Sequence, residues 1–146
     1  MTEYCIKNHF IKKHFSTHWG EMDALGHINH TRYLVWMETV RIELFEQIGL
    51  MNIPNVGPIL ANINANYHHP IHHPAELWCG VRVTRIGTKS FTLQYAIGVA
   101  GEEKQLAEAT TVIVVYNYQT NCSVEIPELV RLALQQENRD ALDQST

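Results

Sequence analysis

Between residues 30 and 48 the apolar positions fall three and four apart. Tyr33, Trp36, Met37, Val40, Leu44, Phe45 and Ile48 make one stripe, while Arg32, Thr39, Glu43, Glu46 and Gln47 lie mainly off it. That period predicts an amphipathic helix over roughly His30 to Ile48. Asn29 is placed to cap its start and Gly49 to stop it. At about 1.5 Å per residue such a helix is about 28 Å long, and its aromatic-rich stripe needs a broad sheet to cover it. Elsewhere the period is two. A weak alternation over residues 10 to 19 sets Phe15, Thr17 and Trp19 against His14, Ser16 and His18, and predicts a first strand that Gly20 ends.

Four more strands follow the helix. Ile59, Ala61, Ile63, Ala65 and Tyr67 alternate with Leu60, Asn62, Asn64 and Asn66. Leu77, Cys79, Val81 and Val83 alternate with Trp78, Gly80, Arg82 and Thr84. Phe91, Leu93, Tyr95, Ile97 and Val99 form a third set within Ser90 to Val99, and Gln105 to Tyr116 ends in a Val-Ile-Val-Val run whose two faces both read as buried. Short Gly-containing links at Ile86-Gly-Thr-Lys89 and Ala100-Gly-Glu-Glu103 predict hairpins. Ile126-Pro127-Glu128 opens a short C-terminal helix, with a frayed tail expected over 139–146. The order predicts an α+β fold in which one curved antiparallel sheet wraps a single long central helix, as one domain over residues 1–138. Strand order is not fixed by the sequence.

Composition narrows the classes. At 146 residues, 45% hydrophobic and 18% charged, the chain fits one globular domain. A net charge of -4 gives no basic footprint for nucleic acid. The first eight residues lack the apolar region of a signal peptide, and no apolar run is long enough for a membrane span. Cys5, Cys79 and Cys122 are odd in number and widely spaced, which disfavours a disulfide framework and fits a reducing, cytoplasmic setting.

The candidate chemistry sits where loop meets helix. In Trp19-Gly-Glu-Met-Asp23-Ala-Leu-Gly26-His27-Ile-Asn29-His30, Asp23 precedes a helix start whose first N–H groups lack intrahelical partners. Such an end holds an oxyanion or polarises a carbonyl, and a carboxylate beside it attacks the carbonyl carbon or deprotonates a water. Gly26 lets the backbone approach a ligand closely. His27 and His30 flank the helix start. Taken alone, one carboxylate before one helix reads more readily as a loop-turn residue or helix-proximal anion with no catalytic role, and the two histidines as surface or capping groups.

The same residues, continued by Thr-Arg-Tyr33-Leu and Met37-Glu38-Thr-Val-Arg41, resemble the signature of the hotdog-fold acyl-CoA thioesterases of the 4-hydroxybenzoyl-CoA thioesterase type. The resemblance continues at Gly57-Pro58-Ile-Leu-Ala, Tyr67-His-His-Pro70, Arg85-Ile-Gly87-Thr-Lys-Ser90-Phe and Ile126-Pro127, and so covers roughly residues 10 to 130. It implies that Asp23 is the catalytic carboxylate, as nucleophile or general base. It also implies that a backbone N–H near Asn29 or His30 polarises the thioester carbonyl. A histidine seven residues after the aspartate is similar to the Tol-Pal-associated branch, where His30 stands. Asn29 matches another branch, which has Asn-Asn at these two positions. The resemblance further implies an acyl group lying against the helix near Tyr33, and CoA phosphates near the hairpin of Arg82, Arg85, Lys89 and Ser90, which otherwise reads as an ordinary solvated turn. No metal or redox cofactor is needed, coenzyme A being part of the substrate. A homodimer or dimer of dimers is expected, with the site between subunits.

Other features are weighed against plainer readings. Four histidines in Tyr67-His-His-Pro-Ile-His-His-Pro74 invite a metal, yet they flank prolines with no cysteine or paired carboxylate nearby, so a solvated loop is expected. Glu38 and Arg41 stand at i,i+3 as an ion pair, with Glu38 partly buried. Asn62, Asn64 and Asn66 form a polar row that meets water, ligand or a partner subunit. The rivals to hydrolysis are acyl-CoA or acyl carrier protein binding without hydrolysis, a hotdog dehydratase, whose His-x-x-x-x-Pro-Phe type segment is absent, and a scaffold role.

Overall fold

The computed structural model describes residues 11–145, with side chains through residue 138. The N-terminal segment read for a signal peptide, and Cys5 within it, lie outside the described residues. So do the side chains of the tail expected over 139–146.

The elements are β1 (Ile11–Ser16), a 3-10 turn at Trp19–Glu21, α1 (His30–Gln47), a second 3-10 turn at Leu50–Asn52, β2 (Val56–Tyr67), β3 (Glu76–Ile86), β4 (Ser90–Val99), β5 (Ala107–Asn117), β6 (Cys122–Ser123) and α2 (Glu128–Ser145). All strand pairings are antiparallel, in the order β1-β3-β4-β5-β2, and the two-residue β6 hangs on β5. The last long strand therefore returns between β4 and β2, and β1 and β2 form the two edges.

α1 begins where the sequence predicts. Asn29 has extended backbone and its Oδ1 accepts from the Thr31 amide at 2.9 Å, satisfying one orphan donor of the first turn. Gly49 ends the helix at φ +80°, a left-handed conformation that glycine takes at no steric cost. The buried face carries Tyr33, Trp36, Met37, Val40, Leu44 and Phe45, and packs mainly over β3 and β1. It meets the inward rows Leu77-Cys79-Val81-Val83 and Phe91-Leu93-Tyr95-Ile97, with Ile113 and Val115 behind them. Each such apolar side chain contributes roughly 1.5–3 kcal/mol on burial. This is the curled sheet with a helix on its inner face that a hotdog fold requires.

Five expectations need correction. The C-terminal helix is not short: α2 runs for 18 residues, as long as α1, so there are two long helices rather than one. Val130 and Leu134 drive it into the core, and Arg131 fastens it by donating to the carbonyls of Gly87 and Thr88 at 2.8 and 3.1 Å. The first strand stops at Ser16, so Thr17 is buried while Trp19, already in the 3-10 turn, is 77% exposed. β2 starts three residues earlier than Ile59, because Gly57 and Pro58 pair with Tyr116 and Val115 on an edge where a proline costs no inward donor. Only one face of the Val-Ile-Val-Val run is fully buried: Ile113 and Val115 point inward, whereas Val112 and Val114 lie half-buried on the outer face. In the Glu38–Arg41 pair it is the arginine that is buried. Its side chain is 9% exposed against 65% for Glu38, at 3.6 Å, and its guanidinium also donates to the Tyr95 hydroxyl at 3.3 Å, which sits 2.8 Å from Thr111 Oγ1. Burial pushes the Tyr95 phenol above its ordinary range, with Arg41 and then Thr111 pulling the other way.

Candidate active site

The loop between the first 3-10 turn and α1 is fastened at both flanks. A bridge joins Met22 to Ile28, the Asp23 amide donates to the His27 carbonyl at 2.7 Å, and the Gly26 amide donates to the Asp23 carbonyl at 3.2 Å. Gly26 turns the chain at φ +83°. Asp23 Oδ1 accepts from the amides of Leu25 at 2.9 Å and His27 at 3.2 Å, so the carboxylate organises its own turn. The side chain is exposed, and Oδ2 has no partner among the described residues. The loop is then tied to the segment after β2, by the Ile28 amide on the Ile71 carbonyl at 2.8 Å and by a bridge between His27 and His72.

These ties decide which amides remain at the start of α1. The Asn29 amide is already given to the Glu21 carbonyl at 2.9 Å, and those of Thr31 and Arg32 to Asn29 itself. The His30 amide has no partner among the described residues. Of the two positions expected to polarise a carbonyl, only His30 keeps its donor open.

A cleft of about 280 Å³ opens beside this turn. His27, Ile28, His30 and Tyr33 form one wall, and Tyr67, His68, His69 and Pro70 the other. The rings of Tyr33 and Tyr67 meet edge to face with centroids 5.0 Å apart, and the Tyr67 hydroxyl reaches the His30 carbonyl at 3.4 Å. Burial raises the Tyr33 phenol above its ordinary range, a hydrogen bond with the Ile71 backbone opposes this, and Tyr67 adds to it. Burial raises Tyr67 as well. Both are neutral phenols at neutral pH.

The structure thus brings together His27, His30 and Tyr33, with Asp23, Gly26 and Asn29 on the adjoining loop. Arg85, Lys89 and Ser90 do not join them. They belong to the β3–β4 hairpin, where Arg85 and Lys89 are exposed, and none lines the cleft. The second wall was not predicted. Tyr67 read as strand and His68, His69 and Pro70 as loop, although Tyr67 continues the Ile63-Ala65 row and so points to the helix side. The four histidines of that loop separate. His68 lies 3.4 Å from Glu108, His69 lines the cleft, His72 packs on His27 at 4.6 Å, and His73 Nδ1 bonds the Thr17 hydroxyl at 2.7 Å. A larger groove of about 470 Å³, between β1 and the turn at 100–103, holds none of the expected residues.

Against known proteins, a family model described as the thioesterase-like superfamily matches residues 17–134. The chain is similar to the long-chain acyl-CoA thioesterase FadM of Escherichia coli (strain K12), at 27% identity over 126 residues, 84% of this chain and 89% of that protein. It is 33% identical over 69 residues to YneP of Bacillus subtilis (strain 168), whose name carries a provisional acyl-CoA thioesterase assignment. That match covers 44% of this chain and spans only half the length of YneP. Among solved structures, a thioesterase-superfamily protein from Jannaschia sp. CCS1 superposes with a TM-score of 0.80 at 26% identity, covering 88% of this chain and 82% of that one.

Proposed function

The chain belongs to the thioesterase-like superfamily, and from that premise we propose that it hydrolyses the thioester of an acyl-CoA to the free acid and CoA. The observation that carries this reading is the shared turn: the loop bearing Asp23 is fastened to the start of α1, and the cleft opens at that same start. The thioester carbonyl sits at the first turn of α1, where the open His30 amide polarises it. Asp23, through the oxygen its turn leaves unused, attacks the carbonyl carbon or takes a proton from the attacking water. The tetrahedral intermediate collapses by breaking the C–S bond, which gives the free acid when water is the nucleophile; when Asp23 is, it gives an acyl-aspartyl anhydride that a water then cleaves to the free acid and the Asp23 carboxylate. A thiolate with a pKa near ~8.5 leaves with little help from an acid, so one carboxylate and one donor suffice. Nothing beyond the CoA of the substrate is required.

The working unit in this reading is a homodimer or a dimer of dimers, with β2 of one protomer beside β2 of its partner. The exposed face of Asp23 then looks into a site shared between subunits. The setting is cytoplasmic, in keeping with Cys79 and Cys122 being free thiols. No described helix is long and apolar enough to cross a membrane. One observation favours a second reading, acyl binding without hydrolysis: in the single chain Asp23 is exposed and spends Oδ1 on its own loop.

A thiol-release assay over short, long and aromatic acyl-CoAs separates the two. Hydrolysis of at least one class with kcat/KM of about 10⁴ M⁻¹s⁻¹ or more is expected. Binding of acyl-CoA with no thiol release from any of them favours the second reading.

A further inference from the structure

The two tyrosines of the cleft are held very differently. Tyr33 is buried in α1, packs on Trp36 at 5.6 Å and bonds to the Ile71 backbone, so it is a fixed wall. Tyr67 ends the edge strand, is 42% exposed, and is held by ring contacts and one hydroxyl bond of 3.4 Å, long for an O–H···O pair. Its ring meets those of His30 and Tyr33 at the first turn of α1 edge to face, with centroids 6.1 and 5.0 Å apart, and it lines the cleft where β2 ends. The strand face that carries it does not end at Tyr67. Side chains two apart on a strand share a face, so Ala65 and Ile63 continue the same row. Ala65 is part-buried against the core and Ile63 is 38% exposed, because α1 packs over β3 and β1 and leaves this row uncovered. An apolar row therefore continues along the same strand face from Tyr67.

We propose that Tyr67 is a specificity-determining side chain: its ring stops an acyl group that has passed the His30 turn, and so sets how long a chain the cleft accepts. This rests on the acyl-CoA reading above but concerns only where the acyl group ends. The ring, not the hydroxyl, is the barrier. Removing the ring joins the cleft to the Ala65–Ile63 row, whereas removing the hydroxyl alone leaves the barrier standing.

The test uses non-hydrolysable S-alkyl-CoA thioethers from butyl to hexadecyl, with binding measured by calorimetry. Thiol release from the matching acyl-CoAs is followed in parallel for wild type, Tyr67→Phe, Tyr67→Ala and Tyr67→Val. Each buried methylene tightens binding about fourfold. In wild type and Tyr67→Phe this gain stops at one chain length. In Tyr67→Ala it continues to longer chains, each protein's gain being read against its own butyl thioether. Tyr67→Val supplies the same readout should alanine loosen the strand end. A break at the same length in all four proteins overturns the proposal, because a merely structural tyrosine would weaken every chain length alike. So does a wild-type curve with no break, or failure of every thioether to bind. A shifted break without any thiol release overturns the hydrolase reading and leaves the role of Tyr67 standing.

Discussion

The two edges of the sheet are built on opposite plans. Within the described residues, β1 carries Lys12, Lys13 and His14 exposed along it. Lys13 reaches Glu43 on α1 at 3.2 Å, and His14 reaches Glu76 on β3 at 3.1 Å. Charged side chains, lysines above all, are how proteins keep an edge from recruiting another strand. β2 is twelve residues long, pairs among the described residues with β5 alone, and exposes Leu60, Ile63 and Tyr67. The protected edge lies beside the larger groove, with none of the expected chemistry. The open edge carries the second wall of the cleft. The contrast supports the proposed reading, in which the long apolar edge is the working surface and the edge carrying lysines is not.

Among changes to the two edges, the largest effect is expected from closing the open one. Ile63→Lys places a charge where a second β2 would pair, and should turn a dimer into a monomer at micromolar concentration, with hydrolysis falling about tenfold or more. Lys13→Ile on the opposite edge should leave the oligomer unchanged. Sedimentation of the two variants checks both, and a dimer that survives Ile63→Lys breaks the comparison.

The next effect sharpens the protected side. A Cβ at Gly98 would lie 2.5 Å from the Lys104 carbonyl oxygen and 2.6 Å from the Trp78 ring, which is itself held by its indole N–H on the Glu102 carbonyl at 2.9 Å. Gly98→Ala should cost about 1–3 kcal/mol, a fall in Tm of roughly 3–10 °C by thermal unfolding. Gly20→Ala, with nothing within 4 Å of the added carbon, should move Tm by less than about 2 °C.

The same contrast explains what the sequence made legible. Where an element is covered by the core, local pattern and tertiary environment agree: the stripe, cap and stop of α1 and the bounds of β4 are found where the period put them. Where an element is an edge or an end, the pattern loses its meaning. β2 alternates cleanly, yet from Leu60 to Tyr67 it is mostly exposed on both faces, because alternation records a pleat and not what covers it. The length of α2 was hidden because its apolar run ends at Leu134 and the polar stretch from Gln135 to Asp140 that follows favours a short reading. Asp23, Gly26, Asn29 and His30 were legible because a loop, a turn glycine and a helix cap are local events. The wall of Tyr67, His68, His69 and Pro70 was not, because it meets the helix only through the return of a distant strand.

The smallest effect belongs to the protected edge. The Ser16 hydroxyl, and with it His14, hold the exposed Glu76 carboxyl below its ordinary range despite some desolvation. A lowered carboxylate contributes above its ordinary pKa and loses that contribution as pH falls through the lowered value. Glu76→Gln should therefore lower Tm at neutral pH by no more than about 2 °C, and the difference from wild type should vanish on acidification. A gap that persists at about pH 2 contradicts this origin.

The central claim is that the Asp23 carboxylate and the open His30 amide act on one thioester. The direct measurement is hydrolysis of the best acyl-CoA by Asp23→Asn, together with its affinity for the matching S-alkyl-CoA. The asparagine side-chain oxygen still accepts from the amides of Leu25 and His27, so the turn is kept while the charge is lost. The account predicts a fall in kcat of about 10²-fold or more with thioether affinity within about threefold of wild type. Hydrolysis at the wild-type rate in a folded Asp23→Asn protein would contradict it.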